Sequence, residues 1–176
     1  MHLTYHNLTI RNATTADAST LAAWWNDGSV MAHAGFPLGL GTTPAKIAAD
    51  LSTDRDDTRR RLILELSGSP IGEMSYRNLG NGTVEIGIKI CDTTKQEKGL
   101  GRKYLSLLIT ALFDEHGYHR IFLDTNLKNT RAQHVYESLG FRKIRILENN
   151  WKDQLGVLQS TVEYELFPDA FLSYID

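Results

Sequence analysis

The stretch QEKGLG, residues 96–101, followed by Arg102, decides how this chain is read. Before it runs TVEIGIKI, in which apolar and other residues alternate as in a strand; after it, Leu100, Tyr104, Leu107, Leu108, Ala111 and Leu112 recur at helical spacing. A glycine-rich turn therefore opens a helix. Consecutive N–H groups at a helix N-terminus attract anions, glycines let a phosphate approach the backbone, and Lys98 and Arg102 add positive charge. The nucleotide-triphosphate loop G-x-x-x-x-G-K-[ST] is absent from the chain. The dinucleotide fingerprint G-x-G-x-x-G fits at Gly99 and Gly101 but finds Tyr104 at its third position, where a small residue is needed for helix–strand packing. Asp124 stands near the place of a ribose-binding acid, but eight residues separate Ile90 from Gly99, too many for that tight turn.

The rest of the composition narrows the class. The 176 residues suit one domain spanning 1–176, with 41% hydrophobic and 23% charged residues, as in an ordinary globular protein. A net charge of -2 gives no general reason to expect nucleic acid as a partner. One cysteine, Cys91, allows no internal disulfide, the N-terminus has no apolar signal-type core, and the longest nearly apolar run, YLSLLITALF, is too short to span a membrane. These features lead to the expectation of a cytoplasmic protein without membrane partners. The six histidines show no metal-ligand spacing, so no metal is expected.

Outward from QEKGLG, the chain reads as strands and helices in the order β-α-α-β-β-β-α-β-α-β-β. LTIRNAT is a strand; Thr14 and Asp17 have capping-box spacing before a helix through Trp24 and Trp25, which Gly28 is expected to end. HAGFPLGLG is a loop, and Thr43 and Pro44 begin a second helix. STDRDDTRRR reads as a solvated turn. LILEL, IGEMSYRN and TVEIGIKI form an antiparallel meander joined by short turns. RIFLDTN is a strand. A helix from Asn129 and Thr130 carries Ala132, Val135, Tyr136 and Leu139 on one face and ends at Gly140; FRKIRIL and LQSTVEYELF, joined by ENNWKDQLG, are the last strands. A meander combined with a strand–helix–strand crossover implies a mixed sheet.

Two motifs then converge. Gln96, Gly99 and Gly101 meet [QR]-x-x-G-x-[GA]; Asn129, Ala132, Tyr136, Gly140 and Phe141 meet N-x-x-[AS]-x-x-x-Y-x-x-x-G-F. Both resemble the signatures of the GNAT superfamily of N-acetyltransferases, in the family's order. WWND, EIG and NNWKDQLG look most like the branch that acetylates ribosomal-protein N-termini, the RimJ and RimL type. The resemblance implies an α/β acyl-CoA N-acyltransferase fold: a mixed, mostly antiparallel sheet of about seven strands flanked by about four helices. It implies acetyl-CoA as co-substrate, with its pyrophosphate on the N–H groups from Gln96 through Glu97, Lys98, Gly99, Leu100 and Gly101 to Arg102. Its pantetheine arm would lie along the strand at Ile88, Lys89 and Ile90, where Gly87 suits a kink or a close approach. Asn129 would touch that arm, and Tyr136 would protonate the departing thiolate.

For the base, Glu85 is favoured, on the strand face opposite Val84, Ile86, Ile88 and Ile90, with Glu73 as its competitor. Trp25, Asp27, Phe36 and Trp151, together with Glu85, are the expected acceptor contacts. Cys91 adjoins the turn but has no evident base. The resemblance thus points to acetyl transfer onto a primary amine, from a peptide N-terminus or a small molecule, by direct attack in a ternary complex. It also admits a homodimer. A non-catalytic CoA-binding module is the alternative; it would keep QEKGLG and dispense with Tyr136 and Glu85.

Overall fold

The structure is a computed structural model and describes residues 1–175. Its strands are β1 (His2–Tyr5), β2 (Leu8–Asn12), β3 (Arg59–Leu66), β4 (Ser69–Gly80), β5 (Thr83–Ile90), β6 (Arg120–Asn126), β7 (Arg142–Lys152) and β8 (Leu158–Leu166). Its α-helices are α1 (Ala18–Trp25), α2 (Gly28–Met31), α3 (Pro44–Leu51), α4 (Leu100–Asp114) and α5 (Thr130–Ser138). The strands make one sheet in the order β1-β2-β3-β4-β5-β6-β8-β7, antiparallel except where β5 meets β6. The mixed sheet expected from the sequence is therefore present, with eight strands and five helices.

Alternation along the strands sends side chains to two cores. Val84 and Ile86 of β5, with Ile121 and Leu123 of β6, pack beneath Leu105, Leu108 and Leu112 of α4 and Leu139 beyond α5. On the opposite face a smaller cluster joins Leu21 and Ala22 of α1, Ile47 and Leu51 of α3 and Ile63 of β3. Tyr104 is fully buried, and its hydroxyl donates to the Glu65 carbonyl at 2.6 Å. A large side chain thus fills the place where a dinucleotide fingerprint requires a small one.

Three local expectations change. The first eleven residues form a hairpin rather than a lone strand: His2 pairs with Arg11 and Tyr5 with Leu8, turning at His6 in a left-handed conformation. Gly28 does not end the first helix; that helix ends at Trp25, and Asp27 caps a new one by accepting from the Ser29 N–H at 2.8 Å. The charged run 52–61 is not wholly solvated. Asp54 and Arg61 are 5% and 8% exposed, and Arg61 Nη2 donates to Asp54 Oδ1 at 2.8 Å and to the Asp50 carbonyl at 3.0 Å. The sequence pattern missed this because Arg61 is covered only once α3 packs beside β3, where the Asp50 carbonyl and the Asp54 carboxylate meet it. The capping box is as expected: the Thr14 N–H donates to Asp17 at 2.7 Å, and Arg11 holds the same carboxylate at 2.8 Å and keeps its pKa low.

Breaking a buried ion pair leaves one charge unpaired away from water, at a cost of about 3–5 kcal/mol. Asp54→Ala is expected to lose that much in urea unfolding. Arg60→Ala, whose partner Asp56 is exposed, should lose less than about 1 kcal/mol.

Candidate active site

The site begins where the sheet stops being continuous. β5 pairs in parallel with β6 only from Thr83 to Glu85, opposite Arg120 to Phe122, while its other edge pairs with β4 as far as Ile90 opposite Gly72. Past Glu85 the two parallel strands separate into a fork. In an extended strand the N–H and C=O of one residue point to the same edge. Cys91 N–H turns to β4, donating to the Ile71 carbonyl at 2.9 Å, whereas the Ile90 carbonyl faces the fork and accepts from Gln96 Nε2 at 2.8 Å. By alternation the backbone of Ile88 faces the fork too. β5 has no register break at Gly87; the expected kink is instead the departure of β6.

At the mouth of the fork, Glu97 and Gly99 both adopt left-handed backbone, φ 60 and 73, and Gly99 caps α4. Among the described residues the N–H groups of Glu97, Lys98 and Gly99 have no acceptor, and the first N–H groups of α4 have none by construction. A Cβ built on Gly101 meets nothing within 4 Å. Packing therefore does not require glycine there; a missing side chain leaves open space in front of unpaired donors, which suits a phosphate of a CoA-type ligand. Asn129 caps α5, accepting from the Ala132 N–H at 3.2 Å, which leaves its amide hydrogens for other partners. Lys98 is exposed and lies off the cleft wall, whereas Ile88, Lys89, Gln96, Glu97, Leu100 and Arg102 line it. Arg102 also stacks 4.6 Å from the Tyr174 ring centroid.

The cleft, about 1510 Å³, runs from this turn past the fork to the other face of the sheet. Tyr136 sits inside it, 6% exposed, its ring packed edge-on and tilted against Tyr164 and Phe141 with centroids 5.9 and 5.8 Å away. Its hydroxyl makes no hydrogen bond among the described residues and is open to the cleft. Burial, reinforced by the charge of Asp124, pushes its pKa up to about 12. Asp124, on β6 just beyond the last residue paired with β5, lines the same cleft and has no ion-pair partner among the described residues. Surrounding protein, then the charges of Glu85 and Glu163, raise its pKa above the usual carboxylate range. Sequence reading weighed Asp124 only as a ribose ligand; the available signal was an acid among the apolar residues of RIFLDTN.

The two expected bases are otherwise engaged. Glu85 lies where β5 and β6 are still paired, off the cleft wall, and Arg77 directly across β4 holds it at 2.6 Å. Glu73 lines the cleft but accepts from Trp25 Nε1 at 2.8 Å and Lys89 Nζ at 3.2 Å. Neither strand-to-strand pairing nor the reach of Trp25 is readable from sequence spacing.

The acceptor side is roofed by residues 33–40 and the β7–β8 hairpin. Gln154 fastens them: its backbone N–H donates to the Gly35 carbonyl, its Nε2 to the Gly39 carbonyl, and its Oε1 accepts from Leu38 N–H, at 2.8, 3.0 and 2.9 Å. Trp151 packs on Gly35. Trp25, Phe36 and Trp151 all line the cleft, whereas Asp27 is spent on its helix cap and does not. Cys91 is 5% exposed, and burial pushes its thiol up to about 12, so it is a protonated packing residue at neutral pH. Among the described residues no cluster of three or more His, Cys, Asp or Glu side chains suits a metal, and no helix is long and apolar enough to cross a membrane.

A fork between parallel strands, with open donors at one end and a buried tyrosine at its apex, is the architecture of an acyl-CoA-dependent transferase. The acetyltransferase (GNAT) domain family matches residues 7–142, and the chain belongs to that family. A comparison with curated proteins gives no match. Among solved structures, the chain is similar to RimL, a ribosomal L7/L12 alpha-N-protein acetyltransferase in complex with coenzyme A, with a TM-score of 0.84 and 14% identity over 97% of this chain and 99% of that one. It is similar to spermidine N-acetyltransferase from Vibrio cholerae in complex with CoA and spermine, with a TM-score of 0.81 and 19% identity over 94% of this chain and 98% of that one. It is also similar to a GNAT-family acetyltransferase from Bacillus anthracis, with a TM-score of 0.79 and 19% identity over 96% and 99%. At these identities the likeness is one of fold.

The raised carboxyl of Asp124 carries a sign that can be measured. A group whose native pKa lies above its unfolded value costs stability once it is ionised in the native state, and costs nothing below the unfolded value. Asp124→Asn is therefore expected to raise Tm at pH 7, with the gain shrinking towards zero as the pH falls to about 4; thermal unfolding across that range checks it.

Proposed function

We propose that this chain transfers an acetyl group from acetyl-CoA directly to a primary amine, a peptide N-terminus or a small molecule, in a ternary complex. The observation that carries this reading is the unpaired edge of β5, which leads from the open N–H groups at Glu97–Gly99 to the Tyr136 hydroxyl. The co-substrate, when bound, supplies an acetyl group activated as a thioester. Gln96 through Arg102 and Asn129 would hold its phosphates and arm, with Ile88 and Ile90 pairing through their backbone.

On the other side of the fork, the carboxylate of Asp124 attracts the acceptor ammonium and takes one proton from it. Its raised pKa makes it a better base than an ordinary aspartate. As the amine nitrogen bonds the acetyl carbon and the carbon–sulfur bond breaks, the nitrogen releases its second proton to water, and the Tyr136 hydroxyl gives its proton to the sulfur and regains one from that water. A pKa of about 12 keeps that hydroxyl protonated beforehand. Protonating Asp124 removes the charge that adds to the effect of burial on the tyrosine's pKa, so the two proton movements assist one another. Buried, protonated Cys91 is unsuited to a covalent acetyl intermediate, which favours direct transfer.

Glu73 is neutralised by Lys89 and shared with Trp25, whereas Asp124 is a solvent-accessible carboxylate on the cleft wall with no ion-pair partner among the described residues. One ammonium beside the aromatic surfaces of Trp25, Phe36 and Trp151 suits this wall better than the several ammonium groups of a polyamine.

Gly101→Asp puts a charge into the open space before the α4 donors without any clash. It is expected to keep Tm and to lose acetyl-CoA binding in calorimetry; normal binding by the folded variant would refute the phosphate assignment. Tyr136→Phe preserves the ring and removes the proton, so kcat should fall by about 10²–10⁴-fold with acetyl-CoA affinity nearly unchanged, followed by thiol release over an amine panel. Near-normal kcat with chemistry rate-limiting would assign Tyr136 to packing, and CoA binding with no turnover on any amine would favour a binding module.

A further inference from the structure

Arg131 stands in an electrostatically unfavourable place. It is the second residue of α5, where a cation opposes the helix dipole, and it faces the turn that opens α4. Two helix N-termini and the side chains of Arg102 and Arg131 thus gather positive potential at the mouth of the fork. Arg131 Nη1 donates to Gln96 Oε1 at 3.0 Å and lies 3.6 Å from Glu97 Oε1. Gln96, through its amide, also grips the end of β5. Glu97 supplies its carboxylate from a left-handed backbone that side chains other than glycine, asparagine and aspartate seldom adopt. Arg131 and Glu97 side chains are 52% and 77% exposed, so their pairing is weak and can open without disturbing the fold.

Resting on the reading above, we infer that Arg131 is a ligand for the phosphate groups of the acyl-CoA co-substrate and that Glu97 occupies it until they arrive. The planar guanidinium can take two phosphate oxygens at once. A phosphate offers more charge than the Glu97 carboxylate and reaches the α4 donors as well, so it displaces that carboxylate. Glu97 is then left near an anion, which weakens cofactor binding and favours release of product CoA.

Calorimetry with CoA and with dephospho-CoA on the whole protein tests this, using Glu97→Gln, Arg131→Gln, their double variant, and Gly101→Asp as reference. Glu97→Gln should tighten CoA binding by about two- to fivefold, in keeping with an exposed ion pair. Arg131→Gln should weaken it by about tenfold and flatten its salt dependence, with Tm unchanged. Glu97→Gln should gain less once Arg131 is gone. An Arg131→Gln loss that persists with dephospho-CoA identifies the pyrophosphate as partner; a loss that disappears identifies the 3′-phosphate. If Arg131→Gln binds CoA like the parent, or Glu97→Gln fails to tighten it, while Gly101→Asp still abolishes binding, Arg131 is only a tether for Gln96 and the inference is overturned with the acetyltransferase reading intact. No CoA binding by the parent protein would overturn both.

Discussion

The separation of β5 from β6 is the constraint on which the rest of the molecule depends. Three residues of parallel pairing hold the two halves of the sheet together, and then the hydrogen bonds on one edge of β5 are left unmade. Unpaired backbone donors and acceptors facing a cleft are costly unless something meets them. The protein meets one with its own Gln96 and leaves the others exposed to the cleft. The fork is tolerable because β4 pairs with β5 along its whole length on the other side, and because α4 and α5 cover the gap with Tyr104, Leu105, Leu108 and Tyr136.

The fork also aligns the chemistry. Parallel strands end on the same side, so the helices that follow β5 and β6 both begin at its mouth, and anion-seeking groups collect there. Deeper in, the same divergence lets Tyr136 approach from the helical face and Asp124 from the other. Burial keeps the tyrosine protonated, surrounding protein and the charges of Glu85 and Glu163 make the aspartate more basic, and the charge of Asp124 adds to the rise at the tyrosine. The glutamates that cross-strand neighbours neutralise are absorbed into structure: Glu85 by Arg77, Glu73 by Lys89 and Trp25.

Much of the frame was legible because it rests on local physics. The TVEIGIKI alternation, the helical stripe from Leu100 to Leu112, the Thr14–Asp17 box and the Thr43-Pro44 start all depend on residues within a few positions of one another. QEKGLG was legible as a phosphate-type turn for the same reason: glycines and a helix start are neighbours in sequence. The misreadings share the opposite character. The Asp54–Arg61 pair is buried where α3 and the turn after it meet β3, with Arg61 also reaching the Asp50 carbonyl; Gly28 is the local exception, where Asp27 caps a new helix through the Ser29 N–H.

The sequence by itself determined the element order, the two-faced strands, the helix beginnings and the family, since each follows from short-range spacing and residue type. Tertiary structure alone decided which carboxylate is free. Glu73, Glu85 and Asp124 look alike in sequence, each an acid within an apolar strand. Their difference lies in partners more than ten residues away or on another strand: Trp25 and Lys89, Arg77, and for Asp124 the open fork with no ion-pair partner among the described residues. Charge pairing and desolvation act through space over a few ångströms, and only the folded sheet sets those distances.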